Sequence, residues 1–158
     1  MADLVRMTYG HSSSNSQTNS MGMRPMQARV YEARAAQFML LKAPPAAGKS
    51  RALMFLALDK LQNQGIKKVI VAVPETSIGG SFKSTDLTSY GFYADWNVEE
   101  RWNLCLSGEE GQANSQKVKT FEEFMDADAP IIICTHATFR FAFDAIEKAR
   151  GVRLSMIA

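Results

Sequence analysis

The chain has 158 residues, 46% of them apolar and 22% charged, with a formal net charge of +2. That length suits one domain with a sizeable core and is short for two, and the composition is that of an ordinary globular protein. So small a net charge does not by itself argue for a polyanionic partner, although a local basic groove can sit inside a balanced total. Cys105 and Cys134 are far apart in apolar surroundings, which predicts buried reduced thiols, and no Cys or His spacing suits a metal. The N-terminus lacks a signal-like apolar core and nothing approaches a membrane span, so an intracellular, cytoplasmic location is expected.

Residues 11–20 read HSSSNSQTNS, a run that buries too little apolar surface to offset the entropy of ordering it. Residues 1–20 are therefore expected to form a flexible polar arm, with docking limited to residues 2–9. Residues 21–158 are the folded portion. Pro25 opens a helix to about residue 36, with Met26, Val30 and Tyr31 on its apolar side. The run FMLLKA at residues 38–43 predicts a strand buried on both faces. A loop over residues 44–48 leads into a helix over 49–64, with Leu53, Leu56, Ala57, Leu58 and Leu61 at helical spacing and Gly65 as its stop. Residues 67–73 form a second buried strand, ended by Pro74. This order is a βαβ unit, for which a right-handed crossover is expected.

Residues 77–93 are the least regular stretch, broken by Gly79, Gly80 and Gly91. A strand is expected around residues 102–106 and a loop over 108–116. Thr120 with Glu123 is a capping-box signature that predicts a short helix ending near Met125 or Asp126. Residues 131–134 form a third strand after Pro130, residues 138–150 a helix ended by Gly151, and residues 153–158 begin one more buried strand.

The chemistry concentrates in Ala43-Pro44-Pro45-Ala46-Ala47-Gly48-Lys49-Ser50, which matches the phosphate-loop pattern with alanine in place of the first glycine. Loop N–H groups converge on phosphates, the helix N-terminus adds its positive end, and Gly48 permits close backbone approach. Pro44 and Pro45 have no N–H, so the donors must come from Ala46, Ala47, Gly48, Lys49 and Ser50. Lys49 would neutralise the β- and γ-phosphates as the catalytic lysine, Ser50 would ligate Mg2+, and Arg51 follows within the same site. The tripeptide GKS alone is a weak signal; its place between a buried strand and an amphipathic helix makes it specific.

These residues resemble motif I of superfamily 2 helicases and translocases, in which the first residue is commonly alanine. Met23-Arg24-Pro25-Met26-Gln27 resembles the upstream segment whose glutamine recognises adenine, and an amide at Gln27 has the donor and acceptor that the adenine edge requires. Val69-Ile70-Val71-Ala72-Val73-Pro74 resembles the strand into motif Ia, followed here by Glu75, Thr76 and Ser77 without the usual basic residue. Ile131-Ile132-Ile133-Cys134-Thr135-His136 resembles motif Ib, with Thr135, His136 and Thr138 suited to a phosphate backbone at a helix N-terminus.

The resemblance covers residues 23–158. It implies an α/β, RecA-like P-loop NTPase domain with a mostly parallel sheet and helices on both faces. It also implies ATP and Mg2+ as ligands, and DNA or RNA as partner. Residues 154–158 look like the strand that precedes the family's acidic motif. The chain is therefore expected to be an incomplete domain, lacking its C-terminal part and the second RecA-like domain, and to be prone to self-association. Two other readings remain: a P-loop ATPase or kinase that handles no nucleic acid, and a nonhydrolysing nucleotide-binding scaffold. In the second of these Lys49 would be expected to be lost first, and it is present.

Overall fold

The computed structural model describes residues 4–8, 17–106 and 113–150. It is an α/β structure of parallel strand pairs with flanking helices, divided into two compact units. One unit comprises residues 1–67 and 84–96; the other comprises residues 68–83 and 97–158. Among the described residues, no helix is long and apolar enough to cross a membrane.

In the first unit, β1 (Leu4–Thr8) pairs in parallel with β2 (Phe38–Lys42), in a register that sets Leu4 against Phe38 and Thr8 against Lys42. A strand therefore lies within the stretch whose composition suggests a polar arm. The mainly apolar run LVRMT supplies it, and the edge of β2 supplies the backbone partners. Residues 9–16 of that arm lie outside the described residues. Helix α1 (Pro25–Glu32) begins at its proline as expected but stops at Glu32, short of residue 36. Helix α2 (Lys49–Asn63) follows the loop that leaves β2. Met26 and Val30 of α1 pack against Ala52 and Leu56 of α2, with Met39 and Leu41 of β2 beneath them.

A buried carboxylate braces α1 against α2. Asp59 is 3% exposed, although it lies on a helix face whose spacing reads as apolar. It accepts hydrogen bonds from Tyr31 Oη at 3.1 Å, Asn63 Nδ2 at 2.8 Å and Gln64 Nε2 at 2.7 Å, with Arg34 Nε at 3.6 Å. Burial pushes its pKa up, but the donated hydrogen bonds and the Arg34 charge outweigh it and hold the carboxyl below its ordinary value. Burial, with Tyr31 and Asp59 adjacent, pushes the Tyr93 phenol up.

In the second unit, β3 (Val69–Val73) pairs in parallel with β4 (Ile131–Thr135), and Val73 sits opposite Thr135. The βαβ order of β2, α2 and β3 along the chain is met; their hydrogen-bonded partners are β1 for β2 and β4 for β3. The three strands are not equally buried. β4 is buried through Ile131, Ile132, Ile133 and Cys134, whereas Leu40 of β2 is 50% exposed and Ile70 of β3 is 38% exposed. An apolar run predicts a strand but does not report how many of its faces are covered.

Between β3 and β4 lie the short helix α3 (Thr76–Gly79), 3₁₀ turns and α4 (Ala113–Asp126), and α5 (His136–Arg150) follows β4. Three expectations need correction here. Residues 102–106 are no strand: Glu100–Trp102 is a 3₁₀ turn, and only Asn103 bridges to Ile133. Asn103 explains the irregularity, because its buried side chain bonds the local backbone, accepting from Cys105 N–H. Second, α4 starts well before Thr120, whose hydroxyl donates back to Gln116 C=O at 2.9 Å within the helix. The capping-box signature is therefore a mid-helix pair. Third, α5 begins at His136, two positions ahead of Thr138. The strand expected over residues 153–158 and the stop at Gly151 lie outside the described residues.

The core of this unit joins Trp102, Phe121, Phe124, Ile132, Cys134 and Ile146. Cys105 and Cys134 are free and buried, as composition predicts, and burial pushes the Cys134 thiol up to about 12. Lys68 closes the end of α4 by donating to the carbonyls of Phe124 (2.8 Å), Ala127 and Ala129 (3.0 Å), with its ammonium 4.4 Å from the Phe124 ring centroid. A cation there satisfies carbonyls that a helix end leaves without partners.

Two stability predictions follow from these contacts. Lys68→Ala strands those carbonyls and should cost about 2 kcal/mol, read as a lower urea midpoint at unchanged m-value. For Asp59 the depressed folded pKa means that its contribution is complete above the unfolded carboxyl pKa and is lost as pH falls through the folded value. Asp59→Asn should therefore melt lower than the parent at neutral pH, and the difference should shrink under acid conditions. A difference independent of pH would contradict the ionised brace.

Candidate phosphate-loop site and strand-end surface

The loop that joins β2 to α2 turns on two left-handed residues, Ala46 at φ 60° and Gly48 at φ 87°. Gly48 is the residue where this conformation matters most. A Cβ there would be strained by the positive φ and would lie 2.5 Å from Gln27 Nε2, forcing that amide to move. The first ladder bond of α2 runs from Ala52 N–H to Gly48 C=O at 3.1 Å. The N–H groups of Lys49, Ser50 and Arg51 thus precede the ladder, and no side chain caps them. Lys49 Nζ folds back over the loop, donating to Ala43 C=O at 2.7 Å and Pro44 C=O at 3.0 Å. The loop thereby gathers a cation, unpaired backbone donors and the positive end of a 15-residue helix. These residues fit an anion of the phosphate class, and Ser50 in the first turn of α2 carries a hydroxyl of the kind that could ligate a hard cation. Among the described residues, no group of three His, Cys, Asp or Glu could hold a metal alone.

Gln27 sits against this loop. It is 3% exposed; its Oε1 accepts from Arg24 N–H at 2.8 Å, and its Nε2 donates to Gly48 C=O at 3.1 Å. A carboxamide has two donor hydrogens and two acceptor lone pairs, so one of each remains for a ligand. The sequence resemblance assigned Gln27 to adenine and did not foresee that its amide also fixes the loop. The Asp59 brace was missed as well. Its signal was a lone carboxylate at helical spacing from Ala52, Phe55 and Leu56.

The residues read as nucleic-acid contacts all fall in the second unit. Because β3 and β4 are parallel and in register, both chains leave the sheet at the same edge, beyond their C-terminal ends. That edge is where open α/β sheets place ligands. Thr76 and Ser77 are exposed in the first turn of α3, with Ser77 Oγ 3.4 Å from Glu75 Oε2. His136 is exposed at the start of α5, and Thr135 is half-buried and caps that helix, accepting from Thr138 N–H at 3.2 Å. Thr138 differs from the others. It is 5% exposed, and its hydroxyl lies 3.1 Å from Thr135 Oγ1. Its side chain is part of the cap.

Comparison with known proteins adds a relative from Bacillus subtilis (strain 168) named "Putative ATP-dependent helicase YeeB", 54% identical over 147 residues. The match takes in 93% of this chain, and the chain spans about a quarter (24%) of that protein's length. No family model and no solved structure matches the chain. Identity of this degree along nearly the whole chain is homology, and the chain corresponds to a portion of a protein named as a putative ATP-dependent helicase.

Proposed function

We propose that the chain is the ATP-binding portion of a nucleic-acid-dependent ATPase, a DEAD/DEAH-like helicase or translocase with a RecA-like domain. The single observation that carries this reading is the phosphate loop, with Gly48 left-handed, Lys49 over the loop carbonyls and unladdered N–H groups at the start of α2. In this reading Ala46, Ala47 and Gly48 cradle the phosphates. Lys49 exchanges its loop carbonyls for β- and γ-phosphate oxygens, and Ser50 and Arg51 line the same end of the helix. Magnesium, held by Ser50 and the phosphates, would supply charge neutralisation there. Gln27 would offer its remaining donor and acceptor to adenine.

On the second unit, Thr76, Ser77, Thr135 and His136 would meet a nucleic-acid backbone through hydroxyls, ring nitrogen and helix N–H groups. Thr138 would hold Thr135 in place. Support comes from the shared edge of β3 and β4 and from the relative's printed name. One observation favours a second reading, a P-loop ATPase that handles no nucleic acid. Glu75 is exposed directly after Pro74, where the family more often has a basic contact nearby, and a carboxylate repels phosphates.

Two measurements separate these readings. Lys49→Ala should weaken MgATP and MgADP by roughly tenfold or more in calorimetry, since a charge-assisted contact is worth about 1.5–3 kcal/mol. Equal affinities would remove the phosphate role. Fluorescence anisotropy with single-stranded DNA and RNA oligonucleotides should then give salt-dependent binding that weakens in His136→Ala and Thr135→Ala. Absence of binding to either polymer, with MgATP binding intact, would favour the second reading.

A further inference from the structure

Residues 84–96 leave the second unit and belong to the first, where they form a closed, braced loop. Thr85 and Trp96 close its ends as an antiparallel bridge, with backbone bonds of 2.8 and 3.1 Å. Asp95 Oδ1 accepts from the N–H groups of Leu87 and Thr88 at 2.8 and 2.9 Å, and Asp86 Oδ1 accepts from Ser89 N–H at 3.0 Å. Leu87, Phe92 and Trp96 are buried, and the Phe92 ring packs at a tilt against Phe55 of α2 with centroids 4.7 Å apart. In the middle of these anchors Tyr90 is 61% exposed. Tyr93 is also exposed, at 44%, but its hydroxyl is bonded to Asp59 and Asn63, so Tyr90 is the ring this tied-down loop holds furthest out.

The position of that ring is specific. The Arg51 guanidinium lies 5.5 Å from its centroid, and Arg51 directly follows the phosphate-loop serine, Ser50. The Tyr90 backbone also presses on Gly22, where a Cβ would come within 2.6 Å of Tyr90 Cβ and carbonyl oxygen. Gly22 lies in the turn organised by Asn19, whose side chain accepts from the N–H groups of Met21 and Met23. That turn runs straight into Arg24, whose N–H is bonded by Gln27. The segment 19–27 thus touches Tyr90 at Gly22 and carries Gln27, which bonds Gly48 of the loop, while Tyr90 itself meets Arg51 in the first turn of α2.

We propose that Tyr90, backed by Arg51, is the base-contacting wall of the phosphate-loop site and packs its ring on the purine of a bound nucleoside triphosphate. The inference rests on the nucleotide-binding reading of the loop and adds a residue that no sequence motif marks. An exposed aromatic ring with a guanidinium at cation–π distance on one side offers a flat, polarisable surface suited to a purine face. The wall is built in advance, because the hydrogen bonds of Asp86 and Asp95 fix the loop without a ligand.

The test is calorimetry on the full chain with MgATP and with magnesium tripolyphosphate, which has phosphates but no base. Tyr90→Ala should weaken MgATP roughly tenfold and leave tripolyphosphate unchanged, and Tyr90→Phe should keep most of the ATP affinity. Thermal melts of both variants should stay near that of the parent, as expected for an exposed side chain. Unchanged ATP affinity in Tyr90→Ala would overturn the proposal. Equal loss for ATP and tripolyphosphate would overturn it too, because the ring would then be acting through the loop's shape. If the parent chain binds neither ligand, or Lys49→Ala binds both as well as the parent does, the phosphate-loop reading itself fails. That outcome is distinct from a site that binds phosphate and ignores the ring.

Discussion

The left-handed backbone of Gly48 is the constraint on which the rest of the first unit depends. At φ 87° the chain turns from the end of β2 into the axis of α2, pointing the first N–H groups of the helix into the bend. Gln27 holds that turn from outside by donating to the Gly48 carbonyl, and it approaches closely enough to occupy the space of a Cβ. Glycine therefore answers two demands at one position, conformation and proximity. Lys49 depends on the same bend, since its ammonium reaches Ala43 and Pro44 carbonyls only if the loop doubles back.

The helices that carry these groups are fixed by polar as well as apolar contact. Asp59 draws Tyr31 and Arg34 from the α1 region onto α2, so the element that bears Gln27 is tied to the element that bears Lys49. A buried carboxylate is costly unless its oxygens are satisfied, and here Tyr31, Asn63 and Gln64 satisfy them. In the second unit the equivalent constraint is the parallel register of β3 and β4. It brings Val73 and Thr135 level, so the short helix α3 and the longer α5 both start just beyond the same end of the strand pair.

How much of this was legible in the sequence varied with the kind of signal. The strand–loop–helix around Lys49 was legible because an apolar run, a glycine and an amphipathic helix each point the same way, and β2 and α2 fall within a residue or two of the expected bounds. β1 was hidden because the neighbouring Ser/Asn-rich run dominates the composition and LVRMT is too short to show a period. The start of α4 was misplaced because Thr120 and Glu123 occur at capping-box spacing inside a helix, where the threonine bonds back to Gln116 instead. Residues 102–106 looked like a strand from their apolar and aromatic content, while Asn103 bends the backbone through a buried side chain. At the site, residue types were readable and their mutual contacts were not. Nothing in spacing alone tells that Gln27 touches Gly48, that Thr138 serves Thr135, or that Tyr90 stands over Arg51.

The central claim is that the bend at Gly48 is a phosphate-binding loop, and backbone amide NMR of this 17.5 kDa chain tests it most directly. Titration with magnesium tripolyphosphate should shift the amides of Gly48, Lys49 and Ser50 most strongly, in a saturable manner, with the strand amides of β4 left in place. Shifts spread over exposed lysines without saturation, or no response at Gly48 and Lys49, would contradict the account.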